Sequence, residues 1–277
     1  MEKYSSDDLL KVAEASPEAI ATHDKQAWLS LFSEQGIIED PVGIAPFRRV
    51  KSGGDDDPLE RFYETFIAPN EIKLNVSRNI VAGNAVVRDV NIEIKSSTGL
   101  TINVPTYVLY ELVEEDGNLK VARLAAHWEL FSMVKRVISR GWPGLKMMTV
   151  LGFRMLKIQG IGGVWGYMKG FFGIGRSGKN SVLSFVEALN SKNTERLVGL
   201  FTSDNSGIEY PFGDESVKPD SFVSSANGSI SVSDLISAGM VTGFRFEVKG
   251  QESENSGIGL FKFDSKTRKI KSARFYF

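Results

Sequence analysis

Asp40 is the residue whose setting best suits chemistry, because it closes the run Gly36-Ile37-Ile38-Glu39-Asp40-Pro41-Val42-Gly43. Alternation along this run puts Ile38 and Asp40 on one face of a half-buried strand, with Ile37 and Glu39 on the other. Pro41 cannot donate to a sheet ladder and confines the residue before it to extended geometry, so the strand should end with Asp40 at its rim. A carboxylate at the mouth of an apolar cavity is desolvated; its pKa climbs toward the working range and it can shuttle a proton. An aspartate before proline also fits a solvated turn, and the local sequence leaves both readings open.

Other chemistry finds little support. The two histidines, His23 and His127, lack metal-ligand spacing with each other or with carboxylates on a common helix face. His23 lies beside Asp24 in an expected turn and is read as exposed. The run Gly173-Ile174-Gly175-Arg176-Ser177-Gly178 has Gly-x-Gly-x-x-Gly spacing but follows no strand and has no βαβ setting. No Gly-x-Ser-x-Gly elbow is present. The chain has no cysteine, which rules out a disulfide framework, a cysteine zinc site and a thiol nucleophile. A Rossmann cofactor, a zinc enzyme and an α/β-hydrolase are thereby disfavoured, and neither cofactor nor metal is expected.

The elements that must position Asp40 can be read on either side of it. Ser5 or Ser6 with Asp7-Asp8 offers a helix start, and Ser16-Pro17 a fresh one, running to Leu31 and followed by Phe32. Downstream, a loop through Ser52-Gly53 leads to a helix beginning at Asp57-Pro58 and carrying Phe62-Tyr63. Strand patterns follow at Ile72–Ser77, Ile80–Ala82, Ala85–Ile94, Leu100–Val113 and Leu119–Leu130, the last two joined at Asp116-Gly117 as a hairpin. Helices first and an antiparallel meander second is the α+β order in which a curved sheet wraps a long helix, leaving a pocket on its concave side.

The order helix, Leu-Phe, strand ending Glu-Asp-Pro-Val-Gly, loop, helix with Phe-Tyr resembles the ketosteroid isomerases of the nuclear-transport-factor-2-like superfamily, over roughly residues 9–130. The resemblance implies a cone-shaped domain in which Asp40 moves a proton between two carbons of an enone while hydrogen-bond donors hold the dienolate oxygen. Aligned on this family, its oxyanion tyrosine falls on Ser16 and its protonated aspartic acid on Tyr107, a phenol that stays neutral at pH 7. Tyr63 falls on a supporting tyrosine, and Phe62, Trp128 and Phe32 are taken as pocket-wall aromatics. His127 alternates with Trp128 and should face away from the pocket.

The chain of 277 residues has ordinary globular composition and a net charge of −1 that hides an asymmetry. No acidic residue occurs between Leu130 and Val186, where nine Lys and Arg leave about −10 on the remainder. Two readings of this stretch stay open: a helical connector, or an amphipathic basic element lying on an anionic membrane. Nucleic acid is not expected as a partner, since no binding motif accompanies the charge. Past Ser181 the first half recurs in degenerate form, with Glu209-Tyr210-Pro211-Phe212-Gly213 standing where Glu-Asp-Pro-Val-Gly stood.

The expected architecture is therefore α+β, with tandem nuclear-transport-factor-2-like domains at 1–132 and 179–277 joined by a basic helical connector at 133–178. Val232–Ser237 is read as the remnant of the second domain's missing helix. The expected function is cofactor-free, steroid isomerase-like acid/base catalysis on a small, apolar, enolisable molecule of steroid, polyketide or terpenoid type, with Asp40 as base and Tyr107 as donor. A non-catalytic carrier of such a ligand is the alternative. The two copies are expected to pair within one chain, or the chain to form a homodimer. The polar, acidic start Met1–Asp8 lacks signal-peptide regions, so a cytoplasmic location is expected, with peripheral membrane contact through the connector as an addition.

Overall fold

Ser5 starts helix α1 (Ser6–Ala21) through a reciprocal capping box with Asp8, which satisfies two of the free N–H groups at the helix start. Pro17 does not begin a new helix as expected; α1 runs through it. Proline lacks the N–H that would bond the Ala13 carbonyl, and Arg88 Nη1 supplies the missing donor at 3.1 Å. Ser16 is therefore a buried interior residue of a helix and not a cap. The computed structural model describes residues 4–49, 57–202, 206–225, 228–250 and 255–277, so the loop at Ser52-Gly53 lies outside the described residues.

Contacts divide the chain into two units, Met1–Asn79 with Asn84–Phe172, and Ile80–Gly83 with Gly173–Phe277. In the first, α1 is followed by α2 (Lys25–Ser30), β1 (Phe32–Glu39), β2 (Phe47–Arg48) and α3 (Pro58–Phe62), which continues as a π-helical turn, Tyr63–Ile67. Strands β3 (Glu71–Ala82), β4 (Ala85–Lys95), β5 (Thr101–Glu115) and β6 (Asn118–His127) follow, then helices α4 (Leu130–Ile138) and α5 (Trp142–Met168). The sheet order is β2-β1-β6-β5-β4-β3, with β1 joined to β6 in parallel. Asp116 and Gly117 have φ of 51° and 76°, which makes the β5–β6 connection the tight hairpin expected of Asp-Gly. The unit is thus mixed α+β, and bulges near Leu112 and between Phe32 and Ile37 add twist to its sheet.

The register fixes which side chains share a face. Val108 lies opposite Ala126 and Tyr110 opposite Leu124, on one face; Tyr107 lies opposite His127 and Leu109 opposite Ala125, on the other. The stretch 133–178 is helical over α4 and α5, and as far as Phe172 it counts with the first unit. Helix α5 changes direction at Gly160, whose φ of 67° is left-handed and suits glycine. Among the described residues, no helix is long and apolar enough to cross a membrane.

The second unit contains α6 (Gly175–Asn190), α7 (Thr194–Gly199), β7 (Gly207–Glu209), α8 (Pro219–Ser225), β8 (Ser229–Ala238), β9 (Val241–Lys249), β10 (Asn255–Phe263) and β11 (Ile270–Tyr276). Its sheet order is β7-β11-β10-β9-β8, with β7 parallel to β11. Val232–Ser237 is not a helical remnant but the middle of β8, where Val232 pairs with Phe246 and Ser233 with Arg245, and past a bulge Ile236 pairs with Gly243 and Ser237 with Thr242. The core of this unit is aromatic, with Phe185, Phe244, Phe246, Phe261 and Phe275 fully buried.

Candidate functional site

Asp40 is aimed by what surrounds it in the chain. Glu39, on the opposite face, is anchored by Arg123 Nη2 at 2.6 Å, and beyond Pro41 the Val42 N–H donates to the Ala126 carbonyl at 2.8 Å. Held on both sides, the Asp40 carboxylate points into an apolar cavity of about 160 Å³ in the first unit. Strands β3 to β6 supply aliphatic walls, Phe62 and Phe66 another, and Met147 and Leu151 of α5 a third. Among the described residues, Asp40 is the only acidic member of this lining and Arg154 the only basic one.

The Asp40 carboxylate accepts a hydrogen bond from Trp128 Nε1 at 2.5 Å. Burial pushes its pKa up to about 6, while the Trp128 hydrogen bond, which favours the charged form, pulls the other way. The residue keeps part of its accessible surface, and that surface belongs to the cavity it lines. It is therefore a carboxylate in protein surroundings that remains open to the cavity.

A row of donors stands beside it. Trp28 Nε1 donates to Ser16 Oγ at 3.1 Å, and Tyr110 is hydrogen-bonded with Ser16 and Arg88. Indole and guanidinium groups only donate. The Ser16 hydroxyl, accepting from Trp28, and the Tyr110 hydroxyl are hydrogen-bonded to each other, and both residues line the cavity. Burial raises the Tyr110 pKa and the charge of Asp40 adds to the rise, which keeps the phenol protonated and a donor.

Tyr167 completes the group from α5. Burial and the charge of Asp40 push its pKa up, and its ring stacks on Phe66 at 5.4 Å. Its place depends on a close approach: Ala45 N–H donates to the Gly166 carbonyl at 2.9 Å, and a Cβ on Gly166 would stand 2.8 Å from the Ala45 Cβ. Only glycine lets α5 sit this near the segment that follows Asp40. Gln159 Nε2 ties the same helix to Thr65 Oγ1 and the Arg61 carbonyl, at 2.9 and 3.0 Å.

Of the residues singled out from sequence, the structure brings Asp40, Phe62 and Trp128 together on the cavity. Tyr107 is not there: strand alternation turns it to the far face, opposite His127, and its carbonyl lies 3.0 Å from His127 Nδ1. Tyr110, on the other face of the same strand, lines the cavity in its stead. Tyr63 lies behind the wall, its ring against Trp28 at 5.5 Å and its buried hydroxyl without a hydrogen-bond partner among the described residues. Phe32 packs edge-on against Trp28 at 4.9 Å and supports the lining without being part of it. His127 faces away from the pocket as expected; burial lowers its pKa to about 4, so it is neutral near pH 7. Among the described residues no group of three or more His, Asp or Glu side chains gathers as a metal centre requires.

Ketosteroid isomerase-like structures match about half of this chain. A Mycobacterium tuberculosis protein crystallised in complex with estradiol-17beta-hemisuccinate is 20% identical, over 46% of this chain and 96% of that one, with a TM-score of 0.39. The Δ5-3-ketosteroid isomerase from Mycobacterium sp. is 19% identical over 46% and 96%, with a TM-score of 0.38. A Mycobacterium tuberculosis LEH-like epoxide hydrolase is 15% identical over 53% and 96%, with a TM-score of 0.37. No family model and no curated protein matches the sequence. At these TM-scores the likenesses carry nothing about chemistry, and the case for it comes from the cavity itself.

Proposed function

We propose that the first unit is a cofactor-free acid/base enzyme of steroid isomerase type, acting on a small, apolar, enolisable molecule. The observation that carries this reading is Asp40, a buried carboxylate with a pKa of about 6 in a predominantly aliphatic and aromatic cavity. Near neutral pH it is ionised enough to take a proton and basic enough to do so usefully. In the step proposed, the Asp40 carboxylate removes the proton from the carbon next to a carbonyl. The electron pair moves onto the carbonyl oxygen, which Tyr110 and Tyr167 stabilise as donors, and Asp40 returns the proton at the conjugated carbon. Each such donor typically contributes about 2.7–4 kcal/mol to the rate.

A second reading, a carrier of the same class of ligand, is favoured by one observation: Trp128 already occupies Asp40 with a hydrogen bond. Incubating ketones with the protein in D2O separates the two. The enzyme reading expects deuterium to enter the substrate, and Asp40→Asn to abolish this. Binding of these ketones without exchange would leave the carrier.

The second unit is proposed to be a degenerate copy of the same nuclear-transport-factor-2-like fold. Its support is positional. His23 and Lys192 have φ of 55° and 54°, Asp24 and Asn193 cap the next short helix, and Gly43 and Gly213 have φ of 105° and 99°. Val42 N–H meets the Ala126 carbonyl as Phe212 N–H meets that of Phe275, at 2.8 and 2.7 Å. By these equivalences Asp40, Ser16, Tyr110 and Trp128 correspond to Tyr210, Phe185, Phe261 and Phe277. The polar group of the first cavity is replaced by rings in contact, Phe185 with Phe261 at 4.9 Å and Tyr210 with Phe277 at 4.7 Å. A unit so filled is a scaffold, and the chemistry belongs to Asp40.

A further inference from the structure

We propose that the solvent face of α4 and α5 is a docking surface for an anionic phospholipid bilayer. The sequence from Phe131 to Phe172 contains seven Lys and Arg and no acidic residue. Large apolar side chains stand out from it into solvent: Phe131 is 67% exposed, Trp142 76%, Phe153 71%, Ile161 80%, Trp165 73% and Phe172 79%.

Their spacing makes a face and not a scatter. In the first half of α5, Trp142, Leu145, Phe153 and Leu156 recur at helical intervals, interleaved with exposed Lys146 and Lys157. After the turn at Gly160, Ile161, Trp165 and Lys169 continue the pattern, while on α4 it is Phe131, Lys135 and Ile138. Tryptophan and lysine interleaved on one side of a helix suit the boundary between headgroups and acyl chains, where rings enter and cations stay outside. With no helix among the described residues able to cross a bilayer, the element lies on it.

Charge chooses the partner. Six of the seven cations are exposed, and a surface carrying phosphatidylglycerol or phosphatidylserine offers the diffuse negative charge that a run without acids requires. The opposite side of α5 supplies Met147, Val150, Leu151 and Arg154 to the cavity. A docked α5 would hold that cavity about one helix diameter, roughly 10 Å, from the lipid in which apolar ligands dissolve.

The test uses the full chain in co-sedimentation with vesicles of phosphatidylcholine alone, and of phosphatidylcholine with phosphatidylglycerol. The bound fraction should rise on the order of tenfold or more with the anionic lipid and fall again at high salt. Trp142→Ser with Phe153→Ser and Trp165→Ser should abolish binding, as should Lys146→Glu with Lys157→Glu. Asp40→Asn should leave it unchanged, so the outcome is independent of the catalytic reading. Equal pelleting with both vesicles, or none with either, would overturn the proposal. A solution mass of two chains that shifts to one in the tryptophan variant would instead give this face to a second copy.

Discussion

The indole N–H of Trp128 donates to the Asp40 carboxylate at 2.5 Å, so the residue just past β6 tempers the raised pKa of the residue just past β1. The hydrogen bond favours the charged form and opposes burial. Trp128→Phe keeps the wall and removes the donor. Asp40 should then titrate higher by roughly one pH unit or more, since a hydrogen bond to a charged group contributes about 1.5–3 kcal/mol and one unit is about 1.4 kcal/mol. NMR titration of the Asp40 side chain checks this.

Asp40 should also cost stability when ionised. Its folded pKa, about 6, lies above the unfolded value, so the folded state holds its proton more tightly. Stability from this group is full below about pH 4 and is lost as pH rises through 6. Asp40→Asn should therefore be more stable than wild type at pH 7, by up to about 3 kcal/mol, with the difference vanishing near pH 4. Urea unfolding at several pH values reads it directly.

His127 acts in the opposite direction over nearly the same window. Burial lowers its folded pKa to about 4, so the unfolded chain takes up the proton first as pH falls below 6.5. Wild type should show an almost flat profile between pH 4 and 6, because the two effects offset one another. Asp40→Asn should lose stability on acidification, and His127→Gln should gain it. A Gln variant with the wild-type profile would contradict the buried, neutral histidine.

Tyr110 and Tyr107 sit on one strand and should separate cleanly. Tyr110→Phe removes a donor from the cavity and should slow turnover roughly 10²–10³-fold, with a smaller effect on ligand affinity. Tyr107→Phe leaves the cavity untouched, and its turnover should stay within a few-fold of wild type. Steady-state kinetics on any ketone that exchanges deuterium decides between them.

Gly166→Ala should damage the site from outside it. Its new Cβ would meet Ala45 Cβ at 2.8 Å, so α5 must move and Tyr167 with it. Ligand affinity should fall while Asp40 keeps a raised pKa, measured by fluorescence titration and NMR on the same sample.

Much of the strand chemistry was legible. Period-two alternation and Pro41 located Asp40, the Asp-Gly turn located the hairpin, and alternation also sent His127 to the far face. The same alternation, carried across the β5–β6 register, sends Tyr107 with it, because the two residues are paired. That pairing is long-range and has no mark in the local sequence. Pro17 misled for a similar reason: the donor that rescues Ala13 comes from Arg88, on a strand far along the chain. Tyr167 carries no local mark of its role, since the packing of Gly166 on Ala45 is what turns it to the cavity.

The central claim is a desolvated, functional Asp40, and the most direct measurement is its titration by NMR in the presence and absence of an enolate-mimicking phenol. The account predicts a pKa near 6 in the free protein and phenol binding whose pH dependence follows Asp40 and disappears in Asp40→Asn. A pKa near the ordinary value of about 4, with no Asp40-dependent phenol binding, would contradict it.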